Sequence, residues 1–457
     1  MNGTSWGNFP HAEQTVRRLD WLSDAALEVG DNEGGTVLPY AYGRSYGDSC
    51  LNDGGTLLGV SGAERLIAFD PATGVVRAEA GMSLAQLLAF AVPRGFFLPV
   101  TPGTKYVSLG GAVANDIHGK NHHRAGTFGR YVRAFELLRS DGTRRVCSRT
   151  ENRELFAATV GGLGLTGLVT WVELTLRPIL SATINTETIK FANLDEFFEV
   201  SAASDSRFEF TVSWVDCAAQ GSRLGRGLYM GGNHATEPGP LTASPPPRLA
   251  APFNAPDFAL NRWTVTAFNT AYYHKQRQKV VAKPAHYEGF FYPLDAVNDW
   301  NRIYGARGFL QYQFALPFSG DTGAVKEIFA RIAASKLGSF LAVLKMFGDL
   351  PSPGLLSFPL PGVTLALDFP NEGRKTFALL DDLDGLVRQG GGRVYPAKDA
   401  RMSGESFRTF FPNWREFSGY IDPKFSSSFW RRVTADAPAE PATAEAVQAE
   451  RESVGVG

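Results

Sequence analysis

The sequence predicts an α+β protein with two domains and a C-terminal return to the first domain. Its 457 residues exceed the size at which one hydrophobic core stops growing. Strand-like and helical runs occur without a regular βαβ alternation, which favours α+β over a doubly wound sheet. Glycine clusters separate the two parts. We expect domains at 1–179 and 180–392, a return segment at 393–435 and a disordered tail at 436–457.

The bulk composition excludes several classes of protein. Lys and Arg number 45 against 46 Asp and Glu, so no overall charge favours a nucleic-acid partner. Cys50, Cys147 and Cys217 are too dispersed for a disulfide framework. Neither a signal peptide nor an apolar run of membrane-spanning length is found. We expect a cytoplasmic protein or one peripheral to the plasma membrane. A location on the periplasmic side of that membrane remains an alternative.

In the first domain, alternating apolar residues predict strands at 36–38, 75–78 and 169–176. Residues 83–91 are predicted to be a helix, because Ser83 can cap it and leucines share one face. A second helix is predicted at 154–160. In the second domain, strands are predicted at 208–214, 308–315 and 363–369, and helices at 323–334 and 376–389. Residues 238–256 hold seven of the 27 prolines and predict a long loop without strand or helix.

One glycine motif resembles a dinucleotide site but lies in the wrong context. Residues 162–167 fit the pattern GxGxxG. A Rossmann site needs a strand before this motif and a helix after it. Here the predicted helix precedes the motif and the predicted strand follows, so we reject that interpretation.

Two other glycine-rich segments could cradle a phosphate. They are Tyr42-Gly43-Arg44-Ser45-Tyr46-Gly47-Asp48-Ser49, and Pro102-Gly103-Thr104 together with Ser108 to Asp116. Small residues let successive backbone N–H groups point at an anion, and hydroxyl groups can add donors. Each segment alone is better explained by an ordinary tight turn. Together they favour an anion site.

Histidines are concentrated next to the second loop. His118, His122 and His123 are three of the seven in the chain. No acid or cysteine lies at a spacing that would complete a metal site, and Gly119 disfavours a helix. We therefore predict no metal, and a polar turn remains the plain alternative.

The order of these motifs resembles the vanillyl-alcohol-oxidase family of flavoproteins. The resemblance extends from about residue 6 to 432 and includes Asp116-Ile117-His118-Gly119-Lys120-Asn121-His122-His123 and Ala397-Lys398-Asp399-Ala400-Arg401. It implies a two-domain VAO/PCMH-type FAD-binding fold with an antiparallel-sheet substrate domain, or cap. In sugar oxidases of this family a His of the first loop often bonds covalently to the flavin. Tyr46 occupies that position, so we expect non-covalent FAD.

The resemblance also implies which residues form the site. Those expected to bind FAD are Gly43, Arg44, Ser45, Tyr46, Gly47, Asp48, Ser49, Gly103, Thr104, Ser108, Gly110, Gly111, His118, Gly119, Lys120, Asn121, Val169 and Tyr395. Those expected to bind substrate are Lys120, Gln311, Gln313, Thr364, Ala366 and Lys398, with Lys398, Gln313 and Lys345 assigned to catalysis. Thr364 and Ala366 stand where mycobacterial members of this family have an Asn and a Cys. The individual substrate contacts of those members are therefore not all expected in this chain.

The activity implied is oxidation of the 2′-hydroxyl of a polyprenylphosphoryl-β-D-ribose to the 2′-keto sugar. This is the first half of an epimerisation that makes an arabinose donor for cell-wall polysaccharide. The implied partner is a separate NAD(P)H-dependent short-chain reductase, and peripheral contact with a membrane would accompany the lipid-linked substrate. One alternative is an FAD-dependent alditol or aldonolactone oxidase, and another is a flavin protein that binds the sugar without turnover.

Strand periodicity supports a polar face in the second domain. Residues two apart on a strand share a face, which places Gln311 with Gln313, and Thr364 with Ala366 and Asp368. From the residues alone, a half-solvated sheet and a solvated Lys398 are the simpler explanations. With the resemblance, this face becomes the roof of a sugar pocket above the flavin ring.

Overall fold

The computed structural model describes residues 3–30, 35–256, 260–318, 320 and 322–437. Its strands are β1 (Thr15–Arg18), β2 (Val37–Tyr40), β3 (Thr56–Gly59), β4 (Leu66–Asp70), β5 (Val75–Glu79), β6 (Phe96–Phe97), β7 (Val132–Leu138), β8 (Arg144–Ser148), β9 (Leu168–Thr175), β10 (Arg177–Pro178), β11 (Thr183–Phe191), β12 (Phe210–Val215), β13 (Gly227–His234), β14 (Leu249–Ala250), β15 (Val280–His286), β16 (Val297–Asn298), β17 (Phe309–Leu316), β18 (Ala342–Phe347), β19 (Gly362–Pro370) and β20 (Arg393–Val394). Its α-helices are α1 (Ala25–Gly30), α2 (Leu84–Ala91), α3 (Leu109–Ala114), α4 (His122–Ala125), α5 (Arg153–Thr159), α6 (Leu194–Ser204), α7 (Arg262–Lys275), α8 (Tyr287–Phe291), α9 (Gly323–Ser335), α10 (Arg374–Gln389), α11 (Gly404–Phe410), α12 (Trp414–Ser418) and α13 (Ser428–Thr434).

In its described residues, the first part of the chain contains two larger sheets and the short antiparallel pair β6 and β10. Strands β1, β3 and β2 form a parallel sheet in that order, and β4-β5-β9-β7-β8 form an antiparallel sheet. Helix α2 begins at Ser83, whose side chain accepts a hydrogen bond from the Gln86 backbone N–H in a reciprocal capping box. The buried leucines of α2 and the apolar residues of α3 join the core of the five-stranded sheet. This packing fixes α3 beside the second glycine-rich loop.

The second part is built on an eight-stranded sheet with the order β15-β11-β13-β12-β18-β19-β17-β20. Adjacent strands are antiparallel. Phe197, Phe329 and Leu383, from α6, α9 and α10, join the same apolar cluster as the inner residues of the sheet. Because those helices occupy one face, the side chains of the opposite face point toward the first part of the chain.

The α+β class is confirmed, and the main predicted elements are found within a few residues of their expected bounds. The motif at 162–167 lies between α5 and β9, so the order of helix and strand excludes a Rossmann turn there, as predicted. The division into domains stays a prediction. Strand β20 pairs Val394 with Phe314, so the sheet continues two residues beyond the expected boundary at 392.

Two local expectations are wrong. The proline-rich loop at 238–256 contains β14, which pairs in parallel with β16, because the prolines flank Leu249–Ala250 without interrupting it. The short helix α4 begins directly after Asn121, since Gly119 lies outside it. Most of the predicted tail, residues 438–457, lies outside the described residues. Within the described ranges, no helix combines the length and apolarity needed to cross a membrane.

Candidate active site

The first glycine-rich loop follows β2 and is held from both sides by backbone hydrogen bonds. The backbone N–H of Trp6 donates to the Ser45 carbonyl at 2.8 Å, and that of Tyr46 donates to the Ala397 carbonyl at 2.9 Å. Gly47 is required by the close approach of the C-terminal segment, since a Cβ at this position would lie 1.7 Å from the Asp399 carbonyl oxygen. The loop is therefore fixed between the N-terminal segment and residues 397–399.

This loop presents unused hydrogen-bond donors. In the described part of the chain, the successive backbone N–H groups of Gly43, Arg44 and Ser45 have no acceptor. Gly43 has φ +58, a conformation that favours glycine and turns the chain at this point. A run of free N–H groups at a turn is the arrangement that binds an anion such as a diphosphate.

The second loop differs from the expectation. The backbone N–H groups of Leu109 and Gly110 donate to the carbonyls of Met82 and Ala80, both at 2.8 Å. The N–H of Gly111 donates to Ser108 Oγ, which caps α3. These donors hold α3 against its neighbours, so Ser108, Gly110 and Gly111 supply a close backbone wall rather than free N–H groups. Thr104 Oγ1 likewise accepts from the Tyr106 backbone N–H at 3.2 Å.

Residues of both glycine-rich segments line one cleft of about 110 Å³. Of the residues predicted to bind the cofactor, those in its lining are Gly43, Arg44, Ser45, Ser49, Ser108, Gly110, Gly111 and Val169. Two buried polar atoms there, Arg44 Nε and Ser49 Oγ, have no partner among the described residues. Buried polar groups are rarely left unsatisfied, so these atoms indicate a polar ligand. The size, the free donors and the glycine wall fit an FAD diphosphate.

The predicted substrate residues meet on the open face of the eight-stranded sheet. Gln313 lies 3.0 Å from His118, joining its Nε2 to the ring Nε2, and 3.4 Å from Thr364 Oγ1. Lys345 Nζ lies 3.2 Å from the other ring nitrogen and donates to the Gly119 carbonyl at 3.3 Å. The side chain of His118, a residue predicted to bind the cofactor, thus lies among the residues of the sheet, and its contact with FAD stays a prediction.

The hydrogen bonds define the state of His118. Burial, and then the charge of Lys345, holds its pKa well below the ordinary value, so the imidazole is neutral. A neutral imidazole has one N–H and one acceptor nitrogen. Gln313 Nε2 is an amide nitrogen that can only donate, so His118 Nε2 accepts from it and Nδ1 carries the ring hydrogen. This Nδ1–H faces Lys345 Nζ, which as a neutral amine can accept it while donating to the Gly119 carbonyl.

Lys398 connects the sheet to the first loop. It ends the 3₁₀ turn Pro396–Lys398, and its Nζ lies 3.6 Å from the centroid of the Tyr46 ring. Burial lowers the pKa of Lys398 to about 7, and the nearby Asp368 partly opposes that change. Asp368 is fully buried and accepts from Gln311 Nε2 at 2.6 Å. An amine with a pKa near neutrality can exchange a proton with a bound hydroxyl.

Two further lysines share this environment. Burial lowers the pKa of Lys345 and of Lys120 to about 7, and the charge of Lys345 adds to the effect on Lys120. Lys120 Nζ donates to the Phe290 carbonyl. Three mostly buried amines in one region attract an anionic group, which would in turn raise their pKa values.

The remaining predicted residues take supporting positions. Ala366 lies opposite Gln313 in the strand pairing, so its small side chain leaves space beside that amide. Tyr395 donates through its hydroxyl to the carbonyl of Asn115, a residue of the cleft lining, at 2.8 Å. Asn121 donates to the Pro99 carbonyl at 2.8 Å, and Gly119 allows close approach to Thr101. Gly103 is open, with nothing within 4 Å of an added Cβ.

Sequence reasoning missed two groups that hold the site. Arg432 donates to both carboxylate oxygens of Asp48, at 2.8 and 2.7 Å, and to Asp399 at 2.9 Å. The Tyr304 hydroxyl donates to Asp368 at 3.0 Å. The strand spacing predicted that Asp368 lies on the polar face. No sequence pattern predicted the pairing of Arg432 with Asp48, which lies 384 positions earlier. In the described ranges, no group of three or more His, Cys, Asp or Glu side chains is arranged to hold a metal.

The fold and the cleft define an FAD-dependent oxidoreductase, and residues 24–148 match the family described as FAD binding domain. The chain is 36% identical to decaprenylphosphoryl-beta-D-ribose oxidase of Mycolicibacterium smegmatis, over 90% of this chain and 91% of that protein. The chain belongs to the family of that oxidase. It is also 34% identical to an uncharacterized protein of Streptomyces coelicolor, over 77% of this chain and all of that protein. A putative D-arabinono-1,4-lactone oxidase of Neurospora crassa is 28% identical over 27% of this chain and 22% of its own.

Proposed function

We propose that this flavoprotein oxidises the 2′-hydroxyl of a polyprenylphosphoryl-β-D-ribose to the 2′-keto sugar, as the first half of an epimerisation to an arabinose donor for cell-wall polysaccharide. The observation that carries the proposal is the group formed by Gln311, Gln313 and Lys345 on one sheet face and by Lys398 on the neighbouring turn, where Lys398 contacts Tyr46 of the cleft loop. A sugar phosphate needs several hydrogen-bonding groups and a cation, and this group supplies both.

Lys398 is proposed as the base for the reacting hydroxyl. Bound FAD supplies the acceptor for the two electrons and the hydrogen that leave the sugar carbon as hydride. The hydroxyl proton must leave as the ketone forms, and an amine with a pKa near 7 can accept it at neutral pH. Gln313 and His118 orient the sugar, while Lys345 and Lys120 attract its phosphate.

The proposed contacts with the cofactor follow the same geometry. The free N–H groups of residues 43–45 and the guanidinium of Arg44 would hold the diphosphate, and the close backbone of α3 would pass beneath it. Tyr46, which replaces the histidine of covalent flavoproteins, supports non-covalent attachment. The proposed division of the chain assigns these loops to a FAD domain, and the eight-stranded sheet to a substrate domain.

The second half of the epimerisation is proposed to belong to a separate protein. The 2′-ketone must be reduced from the opposite face, which requires a hydride donor such as NAD(P)H. The GxGxxG motif of this chain lies between a helix and a strand, which does not support nicotinamide binding. A short-chain reductase is therefore the proposed partner.

The test separates this function from that of an alditol or aldonolactone oxidase. The likeness to the lactone oxidase is limited to 125 residues, 27% of this chain, which is too little to support a shared substrate. Polyprenylphosphoryl ribose with deuterium at C2′ should reduce the flavin more slowly than the unlabelled compound, because that C–H bond breaks. Rapid peroxide formation from simple alditols or lactones, with no reaction of the lipid-linked sugar, would overturn the proposal.

A further inference from the structure

We propose that the surface formed by Leu249, Phe253, Trp263, Phe268 and Ile303 docks on a membrane that contains anionic lipids. These five apolar side chains are between 39% and 71% exposed, and we call them the apolar surface. Single exposed apolar residues are common in soluble proteins. A group of large ones on one segment and its immediate neighbours indicates a contact surface.

The parts of the apolar surface are joined by direct contacts. Arg302, the residue before Ile303, donates to the carbonyl of Ala251 at 2.9 Å, which ties the loop bearing Leu249 and Phe253 to the turn. On α7, the ring of Phe268 packs 5.4 Å from that of Phe340, which in turn stacks on Tyr304. The loop, the 3₁₀ turn Trp300–Tyr304 and α7 therefore form one continuous region.

This region also borders the residues of the proposed substrate site. Ile303 is exposed, while the hydroxyl of the next residue, Tyr304, donates to the buried Asp368 at 3.0 Å. Trp300, on the same turn, packs 5.6 Å from Trp6, which stacks with Arg44 of the cofactor loop. The outer surface of the turn is thus one residue away from groups that contact the reacting site. A substrate whose sugar enters the pocket would leave its lipid chain near this surface.

The charge of the region favours an anionic bilayer over other occupants. Residues 248–256 and 260–277 contain Arg248, Arg262, Lys275 and Arg277 and no acidic residue, and Arg302 of the turn pairs with Asp299, whereas the whole chain has a net charge of −1. The Arg262 guanidinium lies 4.1 Å from the Trp263 ring, next to the apolar surface. Exposed aromatic residues beside basic ones are the composition of surfaces that insert shallowly among anionic headgroups. The docking surface rests on the proposed function, because the proposed substrate carries a lipid chain.

The test compares the holoenzyme with variants in sedimentation with vesicles. Wild-type protein should bind vesicles of equal parts phosphatidylcholine and phosphatidylglycerol, and bind pure phosphatidylcholine far less. Trp263→Ser combined with Phe253→Ser should weaken binding about tenfold, and Arg262→Glu with Lys275→Glu should weaken it by a similar factor. Trp21→Ser is the matched control, because Trp21 is 58% exposed and carries Arg65 at 3.8 Å in the same stacked arrangement.

Equal binding of wild type and both double variants, or no binding of the wild type, would overturn the proposal. So would a dimer, measured by light scattering, that dissociates in the Trp263→Ser Phe253→Ser variant, because a second copy would then cover the surface. Flavin reduction by a short-chain, water-soluble prenylphosphoryl ribose tests the proposed function separately. Reduction without vesicle binding would reject only the docking surface, and binding without reduction would reject only the proposed function.

Discussion

The ammonium group of Lys398 lies 3.6 Å from the centroid of the Tyr46 ring, which joins the sheet to the cofactor loop. Tyr46 is itself fixed by its backbone N–H, which donates to the Ala397 carbonyl one residue before Lys398. The contact places the proposed base at a defined position relative to the loop. An aromatic face also stabilises the charged form of the lysine and partly offsets its desolvation.

Replacing Lys398 by methionine should separate chemistry from cofactor binding. Methionine retains the length and apolar volume but has no group that can accept the hydroxyl proton. We expect flavin reduction by polyprenylphosphoryl ribose to fall by roughly 100-fold or more, with the flavin content unchanged. Lys375→Met is the control, because Lys375 is 59% exposed and pairs with Glu372 at the surface. Normal reduction by Lys398→Met would remove this lysine from the mechanism.

The pH dependence of flavin reduction should report the proton state of Lys398. Burial lowers its pKa to about 7, and Asp368 partly opposes that change. Since only the neutral amine can accept a proton, the rate should rise with pH through about 7 and then level. Asp368→Asn removes the negative charge, so the pKa of Lys398 should fall further and the rising limb should move to lower pH. If the rise of the rate stays at the same pH in Asp368→Asn, or moves to higher pH, the role of Lys398 as the base is contradicted.

Gly47→Ala should prevent assembly of the cofactor loop. An added Cβ would lie 1.7 Å from the backbone carbonyl oxygen of Asp399, and two backbone segments must move apart to relieve the clash. We expect a loss of about 2 kcal/mol in the free energy of unfolding and a low ratio of flavin to protein in the visible spectrum. Gly385→Ala serves as the control, because no atom of the described residues lies within 4 Å of its added Cβ. Full flavin content in Gly47→Ala would show that this loop does not bind FAD.

Much of this arrangement could be predicted from sequence because it depends on local patterns. The two-residue period placed Gln311 and Gln313 on one face, and the cap at Ser83 marked the start of α2. The engaged N–H groups of α3 could not be foreseen, since their acceptors lie in a distant turn at Ala80 and Met82. The pairing of Arg432 with Asp48 is likewise long-range, and no local signal in the chain encodes it.

Arg432→Met should strongly destabilise the fold, because Arg432 neutralises two buried carboxylates. Asp48 and Asp399 are 3% and 4% exposed, and Arg432 is their shared cation. Removing one partner of a buried ion pair leaves uncompensated charge, and we expect a loss of about 3 kcal/mol in the free energy of unfolding by urea denaturation. Arg18→Met, which removes a surface pair with Asp20, should change it by less than about 0.5 kcal/mol. Equal effects of the two substitutions would contradict a structural role for Arg432.

The flavin should be released by acid. The side chain of Tyr46, the residue at the position of covalent attachment in related sugar oxidases, is a phenol that contacts Lys398 and packs 5.5 Å from Phe309. We expect precipitation with trichloroacetic acid to give a colourless pellet and a yellow supernatant. Flavin that stays with the pellet after washing would show a covalent bond and contradict this expectation.

The central claim is that FAD in the cleft lies within reach of a sugar held by Gln311, Gln313 and Lys398. Its most direct test is to add polyprenylphosphoryl ribose to the purified holoenzyme without oxygen and record the visible flavin absorbance. The account predicts that the absorbance bleaches, and that admitting an electron acceptor restores it. Absorbance that stays unchanged with saturating substrate would contradict the account.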